Sequence, residues 1–233
     1  MTRLWTVALV AAAACCGTIA APASAKWYGS TMRGAANAGY GCETAITNAP
    51  LGGVQRSRTN QTSCTYRHSG YLFSNRPTFA VPATGRITKI RIKSGPNPAR
   101  VRLTVLTGSS RVDPFTGRDQ PGTYTCCTAR YVSRPFRLKP NRITTKKVNV
   151  RVFNVRDKSL PIRIHSSDGL ALSFESGGTL PLSVSPAVGG FNSGTPLLVG
   201  YWPRTRKGDP RVDGFSMPGI DLLFQWNFRR ARR

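Results

Sequence analysis

Acidic side chains are scarce in this chain: nine Asp and Glu stand against 34 Lys and Arg, giving a formal net charge of +25 over 233 residues. The shortage narrows the chemistry. Glycoside hydrolysis needs two carboxyl groups roughly 5–10 Å apart; the candidates are Glu43, Glu175 and seven aspartates, and none stands in an informative context. Glu175 alternates outward beside Phe174 and reads as a solvated strand residue. A calcium site takes roughly 6–8 oxygen ligands, whereas the Gly-containing loop with Asp113 and Asp119 offers two carboxylates. Imidazole is scarcer still, with His68 and His165 alone. A Ser–His–acid set could be drawn from His165, Asp168 and a serine, yet those two sit close across an apparent turn, where surface hydrogen bonding is the plainer reading. No G-x-S-x-G elbow is present. No CxxC pair is present either, and His68 is the one imidazole near the cysteines, so nothing resembles a metal site. The sequence thus points to no catalytic residue, no cofactor and no metal, and the chain is expected not to be an enzyme. No window carries a helical stripe, and no apolar run reaches the roughly 20 residues that a spanning helix needs.

What is present begins with a leader. Arg3 forms a positive start, Leu4 to Ala14 an apolar run, and Ala23-Ser24-Ala25 a small-residue cleavage site before Lys26. Residues 1–25 are therefore expected to be removed as a signal peptide, leaving a secreted or cell-envelope-associated protein without a transmembrane segment. A rival reading lipidates Cys15, because Ala13-Ala14-Cys15 faintly resembles a lipoprotein signal, although Ala12 stands where leucine is preferred.

Four cysteines follow the leader: Cys42, Cys64, Cys126 and Cys127. An even count outside the cytoplasm suggests two disulfides. On a regular strand Cys126 and Cys127 would point to opposite faces, and each would need a separate partner from Cys42 and Cys64. In a loop, Cys42 would pair with Cys64, with an adjacent bridge beside it. The second arrangement is preferred because Cys42–Cys64 closes a local loop around an irregular segment.

Short strand signals separated by turns run from Gln61 to Phe228. Gly85 to Thr107 is the clearest stretch: Thr88, Ile90 and Ile92 alternate with Lys89, Arg91 and Lys93, and Val101, Leu103 and Val105 alternate with Arg100, Arg102 and Thr104. Ser94-Gly95-Pro96-Asn97-Pro98 between them reads as the turn of a hairpin. Later signals are Thr123 to Val132, Lys147 to Val152, Leu160 to His165, Leu170 to Phe174 after a hairpin-like Ser167-Asp168-Gly169, Leu180 to Val184, Leu197 to Trp202 and Ile220 to Phe228. The expected fold is all-β, a single two-sheet antiparallel sandwich of jelly-roll-like form. Residues 26–60 are expected as an irregular N-terminal arm, 61–228 as the sandwich, and 229–233 as a basic tail.

The alternation puts charge on one side of the strands. Arg91, Lys93, Arg100 and Arg102, joined by Lys147, Arg151 and Arg163, are the expected polyanion-binding residues. Unneutralised like charges on neighbouring strands would be relieved by an anionic ligand. The expected partner is an anionic polymer: wall polymer, acidic polysaccharide or extracellular nucleic acid. The alternative is a carbohydrate-binding module or adhesin that stacks a sugar on a loop platform of Tyr201 and Trp202 beside Arg204.

The order Cys64-Thr65, Phe79 to Val81, Gly85-Arg86-Ile87-Thr88-Lys89-Ile90-Arg91-Ile92, Val101-Arg102-Leu103-Thr104-Val105-Leu106 and finally Leu222-Leu223-Phe224-Gln225-Trp226 resembles a group of exported β-sandwich proteins of high-GC actinobacteria. Their strands read like G-x-I-x-x-W-R-V, V-R-L-R-V-L and L-L-x-Q/N-A. The resemblance spans most of 60–228 and implies a jelly-roll-like sandwich at or outside the cell surface, with no activity attached. Members of the group continue into a DxDxDG-like calcium-binding tail. Here Arg229, Arg230, Arg232 and Arg233 stand in its place, which speaks against a calcium-dependent role.

Overall fold

The computed structural model describes residues 26–48, 54–58, 60–71, 80–111, 116, 125–157, 164–175, 177–184, 196–201, 204–209 and 215–231. Among them there is no helix, and 62% of the structure is strand. Alternation of Ile, Val, Leu and aromatic residues with charged ones gives each strand one apolar face, and two sheets pack these faces together.

The smaller sheet has four antiparallel strands in the order β1-β15-β5-β8: β1 (Lys26–Gly29), β15 (Phe224–Arg230), β5 (Gly85–Lys93) and β8 (Ile143–Val152). The larger follows β13-β12-β4-β10-β6-β7, with β9 also paired to β10. Its members are β4 (Ser63–Tyr71), β6 (Val101–Arg111), β7 (Thr125–Val132), β9 (Asn154–Asp157), β10 (Ile164–Glu175), β12 (Pro196–Tyr201) and β13 (Phe215–Pro218). Two small ribbons complete the chain: β2 (Thr44–Asn48) with β3 (Val54–Arg58), and β11 (Leu182–Val184) with β14 (Ile220–Leu222). The all-β, two-sheet sandwich expectation holds.

The main core lies between the sheets. Ile87, Ile90, Ile92, Val150, Phe224 and Trp226 of the smaller sheet meet Tyr66, Val101, Leu103, Leu172 and Phe174 of the larger. Each fully buried side chain of this kind contributes about 1.5–3 kcal/mol. A second apolar cluster of Leu106, Cys127, Ala129, Ala171, Val199 and Tyr201 covers the other face of the larger sheet. The two sheets therefore differ: the larger carries apolar packing on both faces, while the smaller turns a polar face outward.

Three expectations are corrected. The stretch 85–107 is not a hairpin. Its first strand pairs with β15 and β8, its second with β10 and β7, and 94–100 carries the chain from one sheet to the other. Ser94 stabilises that crossing by donating to the carbonyl of Lys139 at 2.6 Å. Ser167-Asp168-Gly169 is no turn; it lies within β10, where Asp168 is buried and its carboxylate accepts from Thr107 Oγ1 (2.6 Å), the Phe153 amide (2.7 Å) and Arg130. The stretch 26–60 is not wholly irregular: β1 adds an edge strand to the smaller sheet and β2 pairs with β3.

The segment between β1 and β2 is coil held by side-chain and backbone hydrogen bonds. Asn37 exchanges two hydrogen bonds with Val184, and the Leu180 amide donates to Tyr40. The Cys42–Cys64 disulfide, spanning 22 residues with a Cα–Cα distance of 5.5 Å, fastens its end to β4. The preferred pairing is thus the one found. Cys127 is also disulfide-bonded; the Cys126 side chain lies outside the described residues, although both cysteines belong to β7.

Candidate anion-binding face

The four strands of the smaller sheet contain ten Lys and Arg and no Asp or Glu. Ile, Val and aromatic residues point into the core, so alternation sends most of the cations outward. Register then places them opposite one another. Arg229 faces Arg86, and Arg86 faces Arg151. In the next row Trp27 faces Asn227, Asn227 faces Lys89, and Lys89 faces Lys147. Beyond it Gln225 faces Arg91, and Lys93 faces Ile143 near the far end. Neighbouring strands are about 4.8 Å apart, so the three arginines of the first row fall within roughly 10 Å of one another.

Most of these side chains are exposed, among them Arg86, Lys89, Lys147, Arg151 and Arg229. Arg86 is steadied by donating from Nη1 to Asn149 Oδ1 at 2.6 Å. The Arg151 guanidinium lies 4.9 Å from the Phe153 ring centre. Arg91 lies flat on Trp27, 4.0 Å from the ring centre, forming a combined aromatic and cationic platform. Lys93 donates Nζ to the carbonyls of Gly34 (2.7 Å) and Met32 (3.4 Å), tying the N-terminal segment to the end of the face. The register shifts between Ile87 and Lys89 against both neighbouring strands, so Ile87 is buried and Thr88 donates to Asn227 Oδ1 at 2.7 Å.

Of the seven expected basic residues, the structure brings together Arg91, Lys93, Lys147 and Arg151. Arg100 and Arg102 are elsewhere, because their strand belongs to the larger sheet. Arg102 bonds Glu175 Oε1 through Nη2 at 2.9 Å and through Nε at 3.2 Å, and Arg204 reaches the same oxygen at 2.5 Å. The Arg102 hydrogen bond is the main reason that the Glu175 carboxyl is held below its ordinary value of 4.5. The charges of Arg102, Arg204 and Arg100 add to it against partial burial. Glu175 is therefore the centre of an ion cluster and not a simple solvated residue. Arg163 lies outside the described residues.

Sequence reasoning missed Arg86, Lys89 and Arg229 as members of the face, and Trp27 as its aromatic. Arg86 and Lys89 flank the bulge that breaks strict alternation. Composition alone makes Arg229 part of a basic tail, whereas β15 runs to Arg230; the continuing Gln225, Asn227, Arg229 series opposite Phe224, Trp226 and Phe228 is the signal in the sequence.

Comparison with family models, curated proteins and solved structures returns no match. The site therefore has to be judged on its own chemistry.

The other candidates fare differently. Tyr201 is buried at 2% exposure, with its hydroxyl 3.7 Å from Cys127 Sγ, so its ring is part of the second core and offers no stacking surface. Trp202 lies outside the described residues. His165 bonds Asn154 Oδ1 through Nε2 at 3.0 Å, while Asp168 is engaged by Arg130, Thr107 and Phe153, so the two are not partners. A different Ser, Asp and His do meet: Ser30 Oγ donates to Asp221 Oδ2 at 2.6 Å, and His68 Nε2 lies 3.1 Å from Asp221 Oδ1. There the carboxylate sits between the other two, the serine does not address the imidazole, and all three are buried. This arrangement fastens the N-terminal segment to β14 and β4. Asp113 and Asp119 lie outside the described residues. Among the described residues no group of three or more His, Cys, Asp and Glu is disposed around a common point, and no helix is long and apolar enough to cross a membrane.

Proposed function

We propose that this protein is an exported, non-enzymatic β-sandwich that binds a linear anionic polymer of the cell envelope or extracellular space along the outer face of its four-stranded sheet. One observation carries the reading: like charges are held in register across three adjacent strands with no acid in the sheet. Like charges directly opposite destabilise a sheet, and a polyanion laid across the rows offsets that repulsion while releasing its condensed counterions. Rows of cations that run across successive strands suit a polymer better than a compact ligand. Trp27 under Arg91 adds a surface on which a ring of the polymer can stack. The resemblance to exported actinobacterial sandwich proteins and the leader at residues 1–25 support the location. The disulfide fits an oxidising compartment. The competing sugar platform loses Tyr201 to the core and Arg204 to Glu175.

Binding of a linear polyphosphate, a single-stranded DNA and an acidic polysaccharide at 50 and 200 mM salt tests the proposal. With about six cations engaged, affinity for a flexible polyanion should fall roughly 300-fold between the two conditions. The variant Lys89→Gln/Lys147→Gln should lose most of the binding at 50 mM, whereas Arg206→Gln/Lys207→Gln, which removes the same number of exposed charges from the segment beside β7, should change it little. Equal loss in both variants would reduce the effect to net charge and refute a dedicated face. Salt-resistant binding of a neutral glycan would move the site elsewhere.

A further inference from the structure

The basic face ends in a hollow. Thr84, Gly85, Arg86, Arg151, Arg229, Arg230 and Ala231 line a depression of about 370 Å³ at the margin of the sheet. Four of its seven lining residues are arginines and none is acidic. They come from three neighbouring strands and converge because of a backbone feature: Gly85 lies so close to β15 that a Cβ there would sit 2.3 Å from the Arg229 carbonyl and 2.7 Å from the Phe228 ring. Only glycine admits that approach, and it brings the end of β15, with Arg229 and Arg230, against Arg86. A second hollow of about 370 Å³ shares Arg229 and Arg230 and adds Lys26. Among the described residues no acidic group pairs with the four arginines: Arg86 is held by the neutral Asn149 and Arg151 by a phenyl ring.

A planar guanidinium presents a fork that matches a tetrahedral oxyanion in bidentate fashion. Four of them around one hollow match a small group of high charge density better than the single charge of a phosphodiester or a sulfate ester. A phosphate monoester carries about −1.5 to −2 at neutral pH, its second proton leaving near pH 6. We propose that the arginine hollow is a seat for a phosphate monoester, a terminal or pendant phosphoryl group carried by the polymer that lies along the face. The assignment deepens the polymer-binding proposal and rests on it for the rest of the ligand. The hollow would set where along the polymer the protein stops, and the rows of Lys and Arg would hold the adjoining chain.

Glycerol 3-phosphate is the probe, titrated calorimetrically into the full mature protein at low salt, with methyl sulfate and dimethyl phosphate as monoanionic comparators. Its affinity should rise up to about tenfold from pH 5 to pH 7 as the second proton leaves the phosphoryl group. Neither hollow is lined by a His, Asp or Glu, so the pH dependence reports the phosphoryl group itself. Methyl sulfate and dimethyl phosphate should bind weakly and without that pH dependence. Arg229→Gln/Arg230→Gln should abolish the glycerol 3-phosphate signal, while Arg206→Gln/Lys207→Gln, outside the face, should keep it. Absence of glycerol 3-phosphate binding at millimolar concentration, or equal pH-independent binding of all three anions, overturns the phosphoryl seat. The polymer assay is read separately. Polymer binding without glycerol 3-phosphate binding would remove the seat and leave the face. Glycerol 3-phosphate binding without polymer binding would leave a small-phosphate site and remove the polymer reading.

Discussion

Lys89 is the most direct test of whether the outer face is electrostatically strained. It is exposed, stands directly across from Lys147, and has Arg91 and Arg86 on its own strand. Replacing it by Gln keeps the stem and a polar tip and removes one charge from the middle of the cluster. With three like-charged neighbours at roughly 8 Å, each pair costs about 0.5 kcal/mol in water. At 10 mM salt the Debye length of about 30 Å leaves most of this in place, and at 1 M the length of about 3 Å removes nearly all of it. Lys89→Gln should therefore stabilise the unliganded protein by about 1 kcal/mol at low salt, a rise of roughly 2–4 °C in Tm for a domain of this size. The gain should vanish in 1 M salt. Thermal unfolding followed by circular dichroism at the two salt concentrations measures it. A saturating polyanion should reverse the order, raising the Tm of the parent above that of the variant. A variant that is neutral or less stable at 10 mM, or whose gain persists unchanged at 1 M, would refute the argument that the face is held under like-charge repulsion.

Three further outcomes follow from the core and its fastenings. Because Glu175 has its folded pKa below the ordinary value of 4.5, its contribution is fully present above about pH 4.5 and is lost as pH falls through the depressed value. Glu175→Gln should flatten that part of an acid-unfolding curve, monitored by tryptophan fluorescence. Replacing Cys42 and Cys64 by Ala should cost about 3 kcal/mol, the loop-closure value for the 22-residue separation, read from urea unfolding. Asp221→Ala removes the acceptor of the Ser30 hydroxyl and the carboxylate beside His68, and should cost about 1–3 kcal/mol; limited proteolysis should then cut first within residues 30–41, whose anchorage to β14 has been lost.

Local pattern carried the strands and failed on their partners. Ile90 and Ile92 against Lys89 and Arg91, or Val101 and Leu103 against Arg102, announced which side of each strand is buried, and burial follows that pattern. Alternation says nothing about which sheet a strand joins. The proline-bearing stretch after Lys93 therefore read as a hairpin turn although it crosses between layers. At Ser167-Asp168-Gly169 composition was outweighed by tertiary contacts: three donors from other segments satisfy the Asp168 carboxylate, so no local turn is needed. The face itself was half legible. Its cations on β5 and β8 were visible, but only the pairing of β5 with β15 and β8 separates them from Arg100 and Arg102. The salt-bridge partner of Arg102, Glu175, lies 73 residues away in sequence, beyond the reach of any local pattern.

The first strand of the sandwich pairs with the last: Lys26 is opposite Phe228 and Tyr28 opposite Trp226. A chain that emerges from the ribosome N-terminus first must therefore wait for the residues of β15 before this sheet can close. Until then the ring of Tyr28 has no Trp226 to pack against. The topology keeps the emerging chain unfinished through the whole of its synthesis, and the same last strand that completes the sheet also brings Arg229 and Arg230 to the arginine hollow.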